Sequence, residues 1–103
     1  MVTEETPLEI IWSPTAVKEL KEIYLYLQKD SKSTASKVRS SILNQIEKLT
    51  IYPTVFELDR FMSSINENYR AFEKYRYRVV YKHTEGELHI IRIRHTSREP
   101  LGY

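Results

Sequence analysis

Apolar residues first gather in a short β-branched run, Leu8 to Trp12, which predicts a strand. Ser13-Pro14 follows. A serine caps a helix through its side-chain oxygen, and proline fits the first helical position, where an N–H is unpaired anyway. Val17, Leu20, Tyr24 and Leu27 then recur at spacings of three and four, with Ile23 beside them, and form the apolar stripe of a first helix. On this spacing Tyr24 belongs to the core, and Tyr26, two positions on, faces away. The stretch from Asp30 to Thr34 is a polar break. A second helix is expected from about Ser33 to Thr50, with Ala35, Val38, Ile42, Ile46 and Leu49 on its stripe and Pro53 ending it. Two amphipathic helices joined by so short a link predict an antiparallel hairpin.

Residues 54–68 carry neither period and read as a long loop. Period-two alternation then begins. Strands are expected at about 69–74, 76–83 and 87–95, the last two joined by a turn whose Gly86 permits a positive φ. Tyr77, Val79 and Tyr81 alternate with Arg76, Arg78, Val80 and Lys82. Further on, Ile91 and Ile93 alternate with Ile90, Arg92 and Arg94. Alternation places one face on the helices and the other toward solvent or a partner. The expected fold class is α+β. It is a single domain over 1–103, of order β-α-α-β-β-β, with a twisted, mostly antiparallel four-stranded sheet and a two-helix hairpin on one face. Residues 1–7 and 97–103 are expected to be flexible ends.

Composition narrows the classes. The chain has 103 residues, no cysteine and a net charge of +2, so a disulfide framework and a cysteine zinc site are excluded. The acidic start, MVTEETP, is unlike a signal peptide, and no apolar run is long enough for a bilayer, so a cytoplasmic location and no membrane partner are expected. The charge is unevenly placed. Acidic residues outnumber basic ones over 1–68, whereas over 69–103 basic residues outnumber acidic ones two to one. The segment YRAFEKYRYRVVY at 69–81 opens this basic third. His83 and His89 fall on adjacent strands, but no further metal ligand accompanies them, and neither a metal nor a cofactor is expected.

Asn-Tyr-Arg at 68–70, Tyr-Arg-Val-Val-Tyr at 77–81 and Ile-Ile-Arg-Ile-Arg-His-Thr-Ser-Arg-Glu-Pro at 90–100 resemble the RelE/ParE superfamily of bacterial toxins. Trp-Ser-Pro-x-Ala at 12–16 and Pro53 fit as well, so the resemblance spans about residues 8–100. It implies the toxin of a type II toxin–antitoxin module, neutralised by a cognate antitoxin. It leaves two targets. ParE-like members inhibit DNA gyrase, and RelE-like members cleave mRNA in the ribosome. A homo-oligomer and a toxin–antitoxin hetero-oligomer both stay open.

The two targets demand different chemistry. Cleavage by a 2′-hydroxyl needs a base, cations for the phosphate and an acid near the leaving oxygen. His95 is a candidate acid or base, and Glu57 a second base. Arg70, Arg78 and Arg98 are candidate phosphate holders, since guanidinium matches phosphate geometry. The resemblance implies catalytic roles for Arg78, His95 and Arg98 if the chain is a nuclease. Against this, the loop before the second strand offers only Arg60 where RelE is lysine-rich, and residue 96 is Thr where some nuclease members have an aromatic. The C-terminal segment is closer to the ParE-like pattern, so the reading leans toward gyrase and away from an enzyme.

For binding to a target or an antitoxin, Arg76, Arg78, Arg92 and Arg94 are expected on one outward cationic platform, with Arg70 as a further member. Like charges directly opposite on neighbouring strands repel unless a carboxylate or an external anion sits among them. The competing interpretation is a merely solvated sheet face, with Arg94 and Arg98 paired to Glu73 or Glu99, and with His95 as a rim histidine of structural role.

Overall fold

Each helix starts where its capping residue stands. Ser13 Oγ accepts from the Ala16 N–H at 2.9 Å, and Ser31 Oγ accepts from the Thr34 N–H at 3.1 Å. The structure is a computed structural model, and it describes residues 6–56 and 69–98. Its elements are β1 (Glu9–Trp12), α1 (Pro14–Gln28), α2 (Lys32–Leu49), β2 (Tyr69–Lys74), β3 (Tyr77–Thr84), β4 (Glu87–His95) and a 3-10 turn, Thr96–Arg98. The polar break between the helices is shorter than expected, because Ser31 caps α2 and the helix begins at Lys32. The 3-10 turn occupies residues expected to be part of a loose end. Residues 1–5, 57–68 and 99–103 lie outside the described residues, and with them Glu57, Arg60, Glu99 and most of the expected loop and ends.

The sheet order is β1-β4-β3-β2. β2, β3 and β4 are antiparallel neighbours, and β1 runs parallel to β4 at one edge. The sheet is thus mixed and mostly antiparallel, with the helical hairpin on the face that carries Phe72, Tyr77, Val79, Tyr81, Leu88, Ile90 and Ile93. Ala16 of α1 and Val38, Ile42, Ile46 and Leu49 of α2 complete this core.

Two details depart from the sequence reading. Val17, expected in the core, is 52% exposed, and Ala16 is buried in its place. The stripe of α1 therefore runs Ala16, Leu20, Ile23, Leu27, with Ile23 on the core where Tyr24 was expected. The second departure is a bulge. Val80 pairs with Arg92 but Tyr81 pairs with Ile90, so Ile91 has no partner on β3. An extra residue reverses the parity of one strand. Before it, even-numbered Leu88 and Ile90 face the core. After it, odd-numbered Ile93 does.

Tyr81 fastens the post-α2 segment to the sheet. It is fully buried, and its hydroxyl donates to the Pro53 carbonyl at 3.0 Å. Arg70 on β2 donates to the Phe56 carbonyl at 2.7 Å. Burial pushes the Tyr81 hydroxyl up from 10.0 to about 12, against the opposing pull of the Arg70 charge.

Two outcomes are expected. Ile42→Ala should cost about 2–5 kcal/mol in urea unfolding, and Val17→Ala less than about 0.5 kcal/mol. Tyr81 supplies a pH dependence. Below pH 10 the tyrosine is neutral in both folded and unfolded chains, and stability is full. As pH rises from 10 toward about 12 the unfolded chain ionises first. About 2–3 kcal/mol should therefore be lost over that window. Tyr81→Phe should remove this dependence in unfolding curves recorded across it.

Candidate functional site

β4 is longer than β1. The parallel ladder ends at Trp12 opposite Ile90, so among the described residues no strand covers the edge of the second half of β4. α1 crosses that edge and covers it with side chains. Ser13 Oγ donates to the Ile91 carbonyl at 2.9 Å. Further along α1, Glu19 Oε1 accepts from the Ile93 N–H at 2.7 Å. The other oxygen of the same carboxylate accepts from Arg92 Nε at 3.1 Å and Nη2 at 3.0 Å, and lies 4.0 Å from Arg94 Nε. Glu19 thus does the work of a neighbouring strand and of a counter-ion together.

The register explains why a counter-ion is needed. Arg78 and Arg94 are direct cross-strand partners, and Val80 opposes Arg92 beside them. Three guanidinium groups stand on adjacent positions. Arg78 donates to Glu73 at 3.1 Å, with its side chain only 7% exposed. Glu73 and Glu19 therefore flank the arginines from opposite sides. The expected open cationic platform is corrected here. Arg78, Arg92 and Arg94 are together, but they are largely withdrawn from solvent and held by carboxylates of the same chain. Glu73 was a candidate partner for Arg94 or Arg98, and the structure gives it to Arg78. Glu19 lay hidden in the sequence among the charges of a helix surface. Only its Ser13-Pro14 start, which fixes the phase of α1, hinted at its direction.

Two candidates do not join this group. Arg70 pairs with Tyr81 and so stands on the helix-covered face, opposite to Arg78. Arg76 lies in the turn between β2 and β3, exposed, and does not belong to β3 as expected. Arg98 ends the 3-10 turn.

His95 pairs with Tyr77, so its ring also lies on the helix side. It meets the Tyr77 ring edge-on, with centroids 5.3 Å apart and planes at 88°. Its Nδ1 accepts from the Ser97 N–H at 3.1 Å, with Ser97 Oγ at 2.8 Å. An N–H donor to Nδ1 assigns the imidazole proton of the neutral ring to Nε2. Arg78 and His95 are therefore on opposite faces of the sheet. The candidate catalytic set does not converge among the described residues.

Two recesses flank α1. One, of about 860 Å³, lies between α1 and the C-terminal end of β4, with Glu22, Tyr26, Tyr75 and His95 around it. The other, of about 650 Å³, opens between the helices and is lined by Trp12, Val17, Tyr24, Leu25 and Leu43, with Lys21 and Arg39 as its charges. Arg39 lies over the Tyr24 ring, 6.0 Å from its centroid. Among the described residues no cluster of three or more metal-ligating side chains occurs, and no helix is long and apolar enough to cross a membrane.

Comparison with known families decides the lineage. The family described as "ParE toxin of type II toxin-antitoxin system, parDE" matches residues 10–100. The chain belongs to the ParE toxin family. It is thus a toxin of the type II toxin–antitoxin class, as the resemblance implied. Three solved structures share the fold of this ParE-family toxin. The chromosomal ParDE TA system from P. aeruginosa is 20% identical, with a TM-score of 0.67 over 85% of this chain and 95% of that one. The RelBE2 toxin–antitoxin complex from Mycobacterium tuberculosis is 14% identical, with a TM-score of 0.64 over 89% and 94%. The YoeB dimer from Staphylococcus aureus is 21% identical, with a TM-score of 0.53 over 86% and 97%. No curated protein matches the chain.

Replacing Glu19 tests its double duty in the toxin. Glu19→Ala should cost about 2–3 kcal/mol, because Ile93 loses its acceptor and Arg92 its carboxylate. Glu19→Gln should cost less, since an amide oxygen still accepts from Ile93. Urea unfolding measures the first effect. Hydrogen exchange at the Ile93 amide, accelerated in Glu19→Ala and near normal in Glu19→Gln, separates the second.

Proposed function

We propose that this toxin acts by binding, as a single domain in the cytoplasm, and disables DNA gyrase without chemistry of its own. The observation that carries the reading is the placement of Arg78 and His95 on opposite faces of the sheet. A phosphate held by Arg78 would lie across the sheet from the His95 imidazole, and phosphodiester cleavage needs both at one phosphorus centre. The Ser97 N–H further occupies the nitrogen with which neutral His95 would take a proton. The ParE assignment of residues 10–100 supports the same target.

His95→Ala should accordingly leave growth inhibition nearly unchanged when the toxin is induced alone. Supercoiling by gyrase should fall, and transcripts should stay intact. Ribosome-bound mRNA cleavage that vanishes in His95→Ala would overturn this reading in favour of a RelE-like endoribonuclease.

Neutralisation by a cognate antitoxin belongs to the same proposal. The recess between the helices is apolar along Trp12, Val17, Tyr24, Leu25 and Leu43, and its charges, Lys21 and Arg39, are cationic. That combination suits an amphipathic antitoxin helix with acidic flanks. Leu25 is largely exposed, so changing it leaves the core alone. Leu25→Glu should weaken toxin–antitoxin affinity at least about tenfold, and added salt should weaken the unmodified pair. Isothermal titration at two ionic strengths checks both, and an affinity indifferent to salt would remove the electrostatic part.

A further inference from the structure

The connection from β2 to β3 has only two residues, because Lys74 and Tyr77 are register partners. Those residues are Tyr75 and Arg76, with φ of 51° and 70°. A two-residue hairpin turn with both φ values positive is the form that asparagine and glycine favour. Bulky side chains are disfavoured there, since Cβ approaches the carbonyl oxygen in the left-handed region. The Thr96 N–H donates to the Arg76 carbonyl at 2.8 Å and holds the turn from the end of β4. The chain thus keeps a tyrosine and an arginine where an Asn-Gly pair would be easier. Strain of this kind, held in place by its surroundings, concentrates at sites of function.

What the turn presents is consistent with that. Tyr75 is 49% exposed and Arg76 is exposed. Tyr75 forms one wall of the recess of about 860 Å³, and Tyr26 of α1, 65% exposed, forms another. Ile23, Leu27 and Ile93 supply apolar lining. Tyrosine and arginine are the side chains that most often carry binding energy at protein interfaces. Glu22 lines the same recess and disfavours a phosphate, while the lining cations Arg92 and Arg94 already face the Glu19 carboxylate and His95 stands at the rim. The mixture of apolar, aromatic and oppositely charged groups fits a protein better than a nucleic acid.

We infer that the Tyr75–Arg76 turn and the recess behind it form the surface that docks on the target protein. The recess takes an apolar or aromatic side chain of that protein between Tyr26 and Tyr75, and Arg76 meets a carboxylate beside it. This rests on the reading of the chain as a toxin that acts by binding. It is separate from the antitoxin recess, which opens on the other side of α1.

The test exploits the strain. The double variant Tyr75→Asn/Arg76→Gly installs the residues that the turn prefers. Its thermal midpoint should rise by about 4 °C or more. Growth inhibition on induction should fall at least about tenfold. Affinity for a cognate antitoxin should change less than about threefold. A stabilised variant that inhibits growth like the unchanged toxin overturns the inference. So does a lowered midpoint, which gives the two residues a structural purpose, and so does a parallel loss of antitoxin affinity. Binding of a short single-stranded RNA or DNA that the variant loses would reassign the turn to nucleic acid and overturn the protein partner. Purified gyrase separates this proposal from the choice of target. If the unchanged toxin spares supercoiling while growth inhibition still depends on the turn, the gyrase reading fails and the docking surface stands. An unchanged toxin that does not slow growth overturns both.

Discussion

The carboxylate of Glu19 is the point on which the second half of the sheet depends. β4 outruns its parallel neighbour, and a strand edge left bare exposes backbone donors and acceptors. Glu19 accepts from the Ile93 N–H with one oxygen and engages Arg92 with the other. A single side chain, projected from α1, therefore joins helix to sheet edge and neutralises a cation. Removing water from arginines is costly without such a partner. With Glu73 on the far side of Arg78, a cluster that would repel itself becomes a fixed, half-buried part of the sheet.

That arrangement redistributes the binding potential of the molecule. The arginines that alternate along β3 and β4 are mostly committed to internal carboxylates, so the basic character of the C-terminal third is less available than its count of charges implies. The accessible features lie on either side of α1. One is the apolar recess between the helices, with Lys21 and Arg39. The other is the recess bounded by Tyr26, Tyr75 and His95. A small domain with two separate surfaces can meet an inhibitor and a target through different residues.

The bulge at Ile91 sets what the C-terminal end of β4 can do chemically. With unbroken alternation, odd-numbered His95 would stand on the face opposite to Leu88 and turn away from Tyr77. With the bulge, His95 packs edge-on against Tyr77 and accepts from Ser97. The residues that the resemblance names together, Arg78 and His95, thus stand on opposite faces of the sheet.

The sequence by itself determined the element order, the Ser13 cap of α1 and most of the core. Ser13-Pro14, the apolar stripe of α2 and the alternation of Tyr77, Val79 and Tyr81 are local signals, and local geometry converts them directly into structure. It also contained the motifs of the ParE lineage. Four things were decided by tertiary structure alone. The phase of α1 exchanged Val17 for Ala16, because close helix–sheet approach favours the smaller side chain at the contact. The bulge at Ile91 reversed parity in β4, which no period in one strand reveals, since a bulge is a property of pairing. Glu19, more than seventy residues from Arg92, became its partner because α1 passes over an edge that a short β1 left open. The Tyr75–Arg76 turn carries none of the usual turn residues, and only the pairing of Lys74 with Tyr77 forced it into the left-handed region. Each of these depends on contacts between segments distant in the chain, and such contacts leave no period in the sequence.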